Sequence, residues 1–107
     1  TVRERDGLAL SSRNAYLTPA EREQATMLYN VIRAARLAVK NATTSLRSTA
    51  LRRKLSRLVD KQSLANLDYI EFFDPKTLEP ARRVGRGTHM ALAVFFGKTR
   101  LIDNGRL

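Results

Sequence analysis

Met90-Ala91-Leu92-Ala93-Val94-Phe95-Phe96 is an unbroken apolar run, followed at once by Gly97-Lys98 and then by Thr99-Arg100-Leu101-Ile102. Such a run fits a strand buried on both faces, and therefore a central strand of a sheet. Gly97-Lys98 has the length of a two-residue hairpin turn, so Thr99 to Ile102 is expected to return antiparallel beside it. Upstream, Leu67-Asp68-Tyr69-Ile70-Glu71-Phe72-Phe73 is rich in strand formers and stops at Asp74-Pro75, a turn signal. Thr77 to Pro80 reads as a short irregular segment. Arg82, Arg83 and Arg86 read as part of a Gly-containing loop.

Before residue 66 the apolar period is that of helices. Thr18-Pro19-Ala20-Glu21 is a strong helix start: Thr18 can cap, Pro19 takes the first helical position, and Glu21 completes a capping box. Ala25, Leu28, Ile32, Ala35 and Val39 then form one stripe, which predicts a helix from about 19 to 40. After the polar break at Asn41 to Ser45, a second helix is expected from about 46 to 61. It places Leu51, Leu55, Leu58 and Val59 on one face and Arg53, Lys54, Arg57 and Lys61 roughly opposite. Loop, two helices, then strands is the order of an α+β fold: a small, mostly antiparallel sheet of about three strands packed with two main helices.

The chain has 107 residues, which sets the expectation of one domain over 1–107. Apolar residues at 43% supply a modest core. The absence of Cys excludes disulfides, thiolate metal sites and cysteine catalysis, and fits a reducing compartment. No apolar run approaches the roughly 18 residues of a membrane helix. The mixed charge of Thr1 to Asp6, with no apolar stretch behind it, is unlike a signal peptide. The lack of an initiator Met suggests a piece of something longer. The net charge of +10 puts polyanions first among candidate partners. Its excess is concentrated at residues 41–61, with six bases against one acid. No aromatic residue interleaves with those bases, so they offer no stacking platform for single-stranded nucleic acid. They read as a solvated helix face, with a nucleic-acid or membrane surface as the alternative.

Several chemical motifs are suggested and fail. Gly97-Lys98-Thr99 lacks the glycine that a phosphate-binding P-loop needs five positions earlier, where Leu92 stands. His89, the only histidine, has no ligating or catalytic neighbour in sequence and reads as a strand-end residue. Glu71, Asp74 and Glu79 lie on a strand and its turn, where convergence on one bond is not expected. Leu8-Ala9-Leu10-Ser11-Ser12-Arg13-Asn14 is the informative segment. Its hydroxyls, backbone N–H groups and planar guanidinium can all donate to phosphate oxygens. This is also a common loop composition, and from the residues alone turn formation and helix capping are the favoured reading, with phosphate binding as the alternative.

Asp6-Gly7-Leu8-Ala9-Leu10-Ser11-Ser12-Arg13-Asn14, followed by Tyr16-Leu17-Thr18, closely resembles the start of the C-terminal domain of the pantoate–β-alanine ligase (pantothenate synthetase) family. Asp68-Tyr69-Ile70-Glu71, Asp74-Pro75 with Thr77-Leu78, and Thr99-Arg100-Leu101-Ile102-Asp103-Asn104 resemble that family's later signatures. The middle, from about 41 to 66, is generic amphipathic helix and carries none of the likeness. The resemblance implies a two-step ATP-dependent ligation. Pantoate and ATP give pantoyl adenylate and pyrophosphate, and the β-alanine amine then displaces AMP. Magnesium would accompany the ATP as substrate, with no tightly bound cofactor and no protein metal site. It further implies that this chain is the lid that closes over a separate Rossmann-like N-terminal domain, where pantoate and β-alanine bind. The implied ATP contacts are Val2 through its backbone, Leu10 (where many members have Met), Ser11, Ser12 and Arg13. No catalytic residue of the family maps onto this chain. A cytoplasmic homodimer as the full-length protein follows from the likeness, with no nucleic-acid or membrane partner. The competing reading is a free-standing basic module that binds nucleic acid through residues 47–61, or docks an acidic partner.

Overall fold

The computed structural model describes residues 1–107. The elements are a 3₁₀ turn Ser12–Tyr16, α1 Pro19–Ala25, α2 Met27–Asn41, β1 Leu46–Arg47, α3 Ser48–Asp60, β2 Ala65–Phe73, β3 Arg83–Val84, β4 His89–Phe96 and β5 Thr99–Arg106. The fold is α+β. β2, β4 and β5 form an antiparallel sheet in the order β2-β4-β5, and β1 and β3 form a second antiparallel pair. The long apolar run is therefore the central strand, and Phe96 pairs with Thr99 across the two-residue turn. Gly97 sits at φ +60°, the left-handed conformation that the first turn position of a type II′ hairpin requires.

The core lies between one face of this sheet and the helices. Met90, Leu92, Val94 and Phe96 of β4 project there with Ile70 and Phe72 of β2 and Leu101 of β5. Leu28, Val31, Ile32 and Ala35 of α2 and Leu51, Leu55 and Val59 of α3 meet them in one cluster. The expectation of a central strand buried on both faces holds for one face only. On the other, Ala93 is buried but His89, Ala91 and Phe95 are half-exposed, because no helix covers that side.

Three local expectations change. The helix expected from 19 to 40 is divided at Thr26, whose hydroxyl donates to the Glu23 carbonyl at 3.2 Å. Such back-bonding disturbs a helix locally. The apolar stripe nevertheless continues through Ala25 and Leu28, since Thr26 keeps helical dihedrals. The capping box forms as expected, with Glu21 N–H donating to Thr18 Oγ1 at 3.2 Å and Thr18 N–H to Glu21 Oε1 at 2.9 Å. Leu46 and Arg47 are strand rather than helix, paired with Val84 and Arg83, so the arginine pair expected in a loop partly forms β3. Val84 is fully buried, and that burial fixes this short pairing. Arg53, Lys54, Arg57 and Lys61 are exposed, as expected of a solvated face. Arg52 differs from them: its Nε donates to the Ile70 carbonyl at 2.8 Å, covering the outer edge of β2.

Ile32→Ala and Leu55→Ala, each truncating a side chain with no exposed area, should destabilise the chain by about 2–4 kcal/mol in urea denaturation. Arg53→Ala should cost under about 0.5 kcal/mol. A loss from Arg53→Ala comparable to the core truncations would show that the basic face is packed rather than solvated.

Candidate functional site

Residues 2–10 form a small hairpin. Leu10 N–H donates to the Val2 carbonyl at 2.9 Å, Glu4 N–H to the Leu8 carbonyl at 2.8 Å, and Gly7 N–H to the Glu4 carbonyl at 2.9 Å. The turn needs glycine twice over. Gly7 has φ +98°, and a Cβ there would stand 2.3 Å from the Tyr29 ring. Leu8 is buried and pins the returning arm to the core.

Two arginines lock this hairpin down. Arg3 donates to both oxygens of Asp103 on β5, at 2.6 and 3.0 Å, and to the Gly7 carbonyl at 3.0 Å. Its guanidinium also lies 4.2 Å from the centre of the Tyr29 ring. The Asp103 side chain is only 2% exposed, and this bidentate pair satisfies it together with the Asn104 N–H, which donates to Oδ1 at 2.8 Å. The bond to Asp103 raises the Arg3 pKa above its already high ordinary value. Arg22 of α1 bridges to Asp6 at 2.8 Å and to Glu4 at 3.2 Å from the other side. The Arg22 hydrogen bond, ahead of the Leu8 N–H, holds the Asp6 carboxyl below its ordinary value.

The hairpin delivers the chain into the Ser11–Asn14 loop. Ser11 Oγ accepts from Arg13 N–H at 3.1 Å and so caps the 3₁₀ turn. Asn14 Nδ2 donates to the Ala9 carbonyl at 3.1 Å and to Glu4 at 3.3 Å, while its Oδ1 is buried without a partner. Capping, the alternative use of this segment, is thus real for Ser11. Ser12 and Arg13 differ: both are exposed, and neither side chain has an intramolecular hydrogen bond or ion pair. Val2 and Leu10 stand opposite each other on the hairpin, 70% and 56% exposed. Val2 spends its carbonyl on Leu10 and leaves its N–H free of intramolecular bonds. All five residues therefore lie on the hairpin and the loop it leads into. Arg13 also lines a cavity of about 540 Å³ with Tyr16, Lys98, Thr99, Arg100 and Ile102.

The other acids do not converge. Glu71 faces Arg52 at 3.5 Å, and Asp74 Oδ1 accepts the Lys76 and Thr77 N–H groups, which lower its pKa. His89 stacks obliquely on Phe73 at 5.6 Å, at the start of β4. No group of three or more His, Asp or Glu side chains stands together as a metal site. Sequence reasoning missed the Arg3–Asp103 pair. Its signal was present in β5, where Leu101, Asp103 and Gly105 alternate inward and an inward Asp demands a cation.

The fold and this loop define a class: an α+β domain, helices on one face of an antiparallel sheet, carrying a polar cationic loop on a clamped hairpin. A family model described as pantoate-beta-alanine ligase matches residues 1–106. The chain belongs to that family. It is 47% identical over 106 residues to the pantothenate synthetase of Anaeromyxobacter dehalogenans, covering 99% of this chain and 36% of that protein. It is 43% identical over 103 residues to that of Koribacter versatilis, covering 96% of this chain and 35% of the relative. Among solved structures, pantothenate synthetase from Thermus thermophilus superposes with a TM-score of 0.83 at 37% identity, over 98% of this chain and 37% of that one. The Francisella tularensis pantoate-beta-alanine ligase, solved in complex with beta-gamma ATP and beta-alanine, gives 0.56 at 28% identity, over 99% and 31%. The chain thus spans about a third of the length of the relatives it matches. No helix is long and apolar enough to cross a membrane.

Two outcomes test the clamp. Asp103→Asn removes the charge that Arg3 pairs with and should cost about 3 kcal/mol in chemical denaturation. The second concerns pH. The Asp6 carboxyl is depressed, so its stabilisation is complete above the ordinary carboxylate value, about 4, and is lost as pH falls through the lower folded value. Amide NMR shifts of Gly7 and Leu8 should therefore titrate below about 4; a midpoint above the ordinary value would contradict the Asp6–Arg22 bond.

Proposed function

We propose that this chain is the lid domain of an ATP-dependent ligase that joins pantoate to β-alanine, a step of pantothenate biosynthesis. The observation that carries the reading is the loop itself. In a segment where Arg3, Glu4, Asp6, Ser11 and Asn14 are all held by intramolecular bonds, Ser12 and Arg13 are left with free donors. Those are two of the residues through which the family likeness implies contact with ATP. A relative solved with beta-gamma ATP and beta-alanine supports the choice of ligands.

In the proposed reaction a pantoate carboxylate oxygen attacks the α-phosphorus of ATP. A mixed anhydride forms, the bond to the bridging oxygen breaks, and its electron pair leaves with pyrophosphate. The β-alanine nitrogen then attacks the acyl carbon, loses a proton, and AMP departs. Magnesium enters with the nucleotide as part of the substrate. On this chain, the Arg13 guanidinium and the Ser11 and Ser12 hydroxyls bind the phosphates on which charge grows. The free Val2 N–H faces the adenine side, beside Leu10. Closing a hinged lid also excludes water, which strengthens these bonds and protects a hydrolysable adenylate. The groups that bind pantoate and β-alanine belong to the other domain of a full-length, cytoplasmic homodimer, so the isolated domain is inactive. Nucleic acid and membrane are not partners on this reading.

In the full-length enzyme, Arg13→Ala should slow pyrophosphate–ATP isotope exchange by about 30- to 1000-fold, the value of one transition-state donor. Arg13→Lys should recover part of the loss, since a point charge replaces a planar fork. Exchange at the unmodified rate in Arg13→Ala would sink the assignment.

A further inference from the structure

The loop alone does not match the charge of its proposed ligand. A triphosphate carries up to about four negative charges, of which the accompanying magnesium offsets about two, and Arg13 is the one cation among Val2, Leu10, Ser11, Ser12 and Arg13. The cavity that Arg13 shares with the β4–β5 hairpin supplies what is missing. Its walls are Arg13 and Tyr16 on one side and Lys98, Thr99, Arg100 and Ile102 on the other, with three cations and no acid among them.

Each hairpin cation has a fixed origin. The two-residue turn, with Gly97 in the left-handed region, places Lys98 at the tip, where it is exposed and without an ion pair. Glu21 approaches the turn from α1: a Cβ on Gly97 would lie 3.1 Å from its Oε2, and its other oxygen accepts from the Thr18 N–H. Arg100 is aimed rather than free. Its Nε and one terminal nitrogen both contact Asp68 Oδ2 at 2.8 Å, and its guanidinium lies 5.5 Å from the Tyr69 ring centre. Asp68 can reach across because it sits at the register shift between Leu67 and Tyr69. Both contacts use one edge of the guanidinium. The remaining terminal nitrogen keeps its two donors for a ligand.

We propose that the β4–β5 hairpin is the second jaw of a polyphosphate clamp, with Lys98 and Arg100 binding the β- and γ-phosphates opposite Arg13. Arg100 and Lys98 thereby hold the group that departs as pyrophosphate. Asp68 positions Arg100 without touching the ligand. This rests on the lid reading above, and the test separates the two.

The experiment uses the full-length enzyme and two probes, inorganic pyrophosphate and AMP, as inhibitors of pantothenate formation. Lys98→Ala, at an exposed turn tip, and Arg100→Met should each raise the KM for ATP and the inhibition constant of pyrophosphate about tenfold, the loss of one charged contact. Inhibition by AMP, which lacks both outer phosphates, should stay within about twofold, as should the KM for β-alanine. Asp68→Asn should reproduce a weaker form of the Arg100→Met effect, with Lys98→Ala unaffected by its presence. Arg13→Ala is run beside them. If Arg13→Ala weakens pyrophosphate and neither hairpin variant does, the clamp is wrong and the lid reading stands. If none of the three moves it, both are wrong. Equal losses for AMP and pyrophosphate in Lys98→Ala would also overturn the clamp, because the contact would then lie at the α-phosphate or the nucleoside.

Discussion

A carboxylate on the inward face of a sheet is what the functional end of this molecule is organised around. Asp103 lies opposite Leu92 on β5, flanked inward by Leu101 and Gly105. Burying it unpaired would cost several kcal/mol. Arg3 is its only ion-pair partner, so the N-terminal hairpin must dock on the sheet for the core to close. Docking then fixes everything downstream of it. The Arg3 guanidinium needs the Gly7 carbonyl and the Tyr29 face, Gly7 needs its missing side chain to approach Tyr29, and Leu8 enters the core. The loop from Ser11 to Asn14 is hung from the end of that hairpin. A loop meant to meet a ligand thus takes its position from an ion pair that meets none.

The charge of the chain divides on the same principle. Arg3, Arg22 and Arg52 each hold an acid or a carbonyl of another element, and their work is structural; Arg100 holds Asp68 with one edge of its guanidinium and keeps the other free. The densest cationic segment, residues 41–61, contributes one such residue, Arg52; the rest of its face is solvated. The cations with free donors near the loop are few and come from distant parts of the sequence: Arg13, Lys98 and the unbonded terminal nitrogen of Arg100. Net charge therefore points to polyanions without pointing to the place where one would bind.

The helices and the central strand were legible because their signals are local. The stripe of Ala25, Leu28, Ile32 and Ala35 needs only a period of 3.6, and Met90 to Phe96 needs only a run. The break at Thr26 was not legible, since it arises from one hydroxyl inside dihedrals that remain helical. Nor was β1–β3, two residues a side, whose pairing is set by burying Val84 rather than by strand propensity. The open second face of β4 escaped because Ala91 and Phe95 are apolar whether or not anything covers them. At the site, residue chemistry left capping and phosphate binding undivided, since both use the same hydroxyls and N–H groups. Family likeness singled out the loop. Only the geometry separated Ser11, which caps, from Ser12 and Arg13, which do not.

On the proposed lid reading, that separation bears on how affinity is gained. Ordering a floppy loop at the moment of binding would draw on the interaction energy of every contact it makes. Here the backbone is already ordered: Ser11 caps Arg13 N–H, Asn14 is bonded to the Ala9 carbonyl and Glu4, and the hairpin beneath is clamped from both sides by Arg3 and Arg22. Of the loop and the β4–β5 turn, the side chains left without an intramolecular bond are those of Ser12, Arg13 and Lys98. Because the hairpin carrying Lys98 is built from β4 and β5, and the loop is tied to β5 through Asp103, both jaws ride on one sheet. In the proposed closure the two therefore move together, as parts of one sheet.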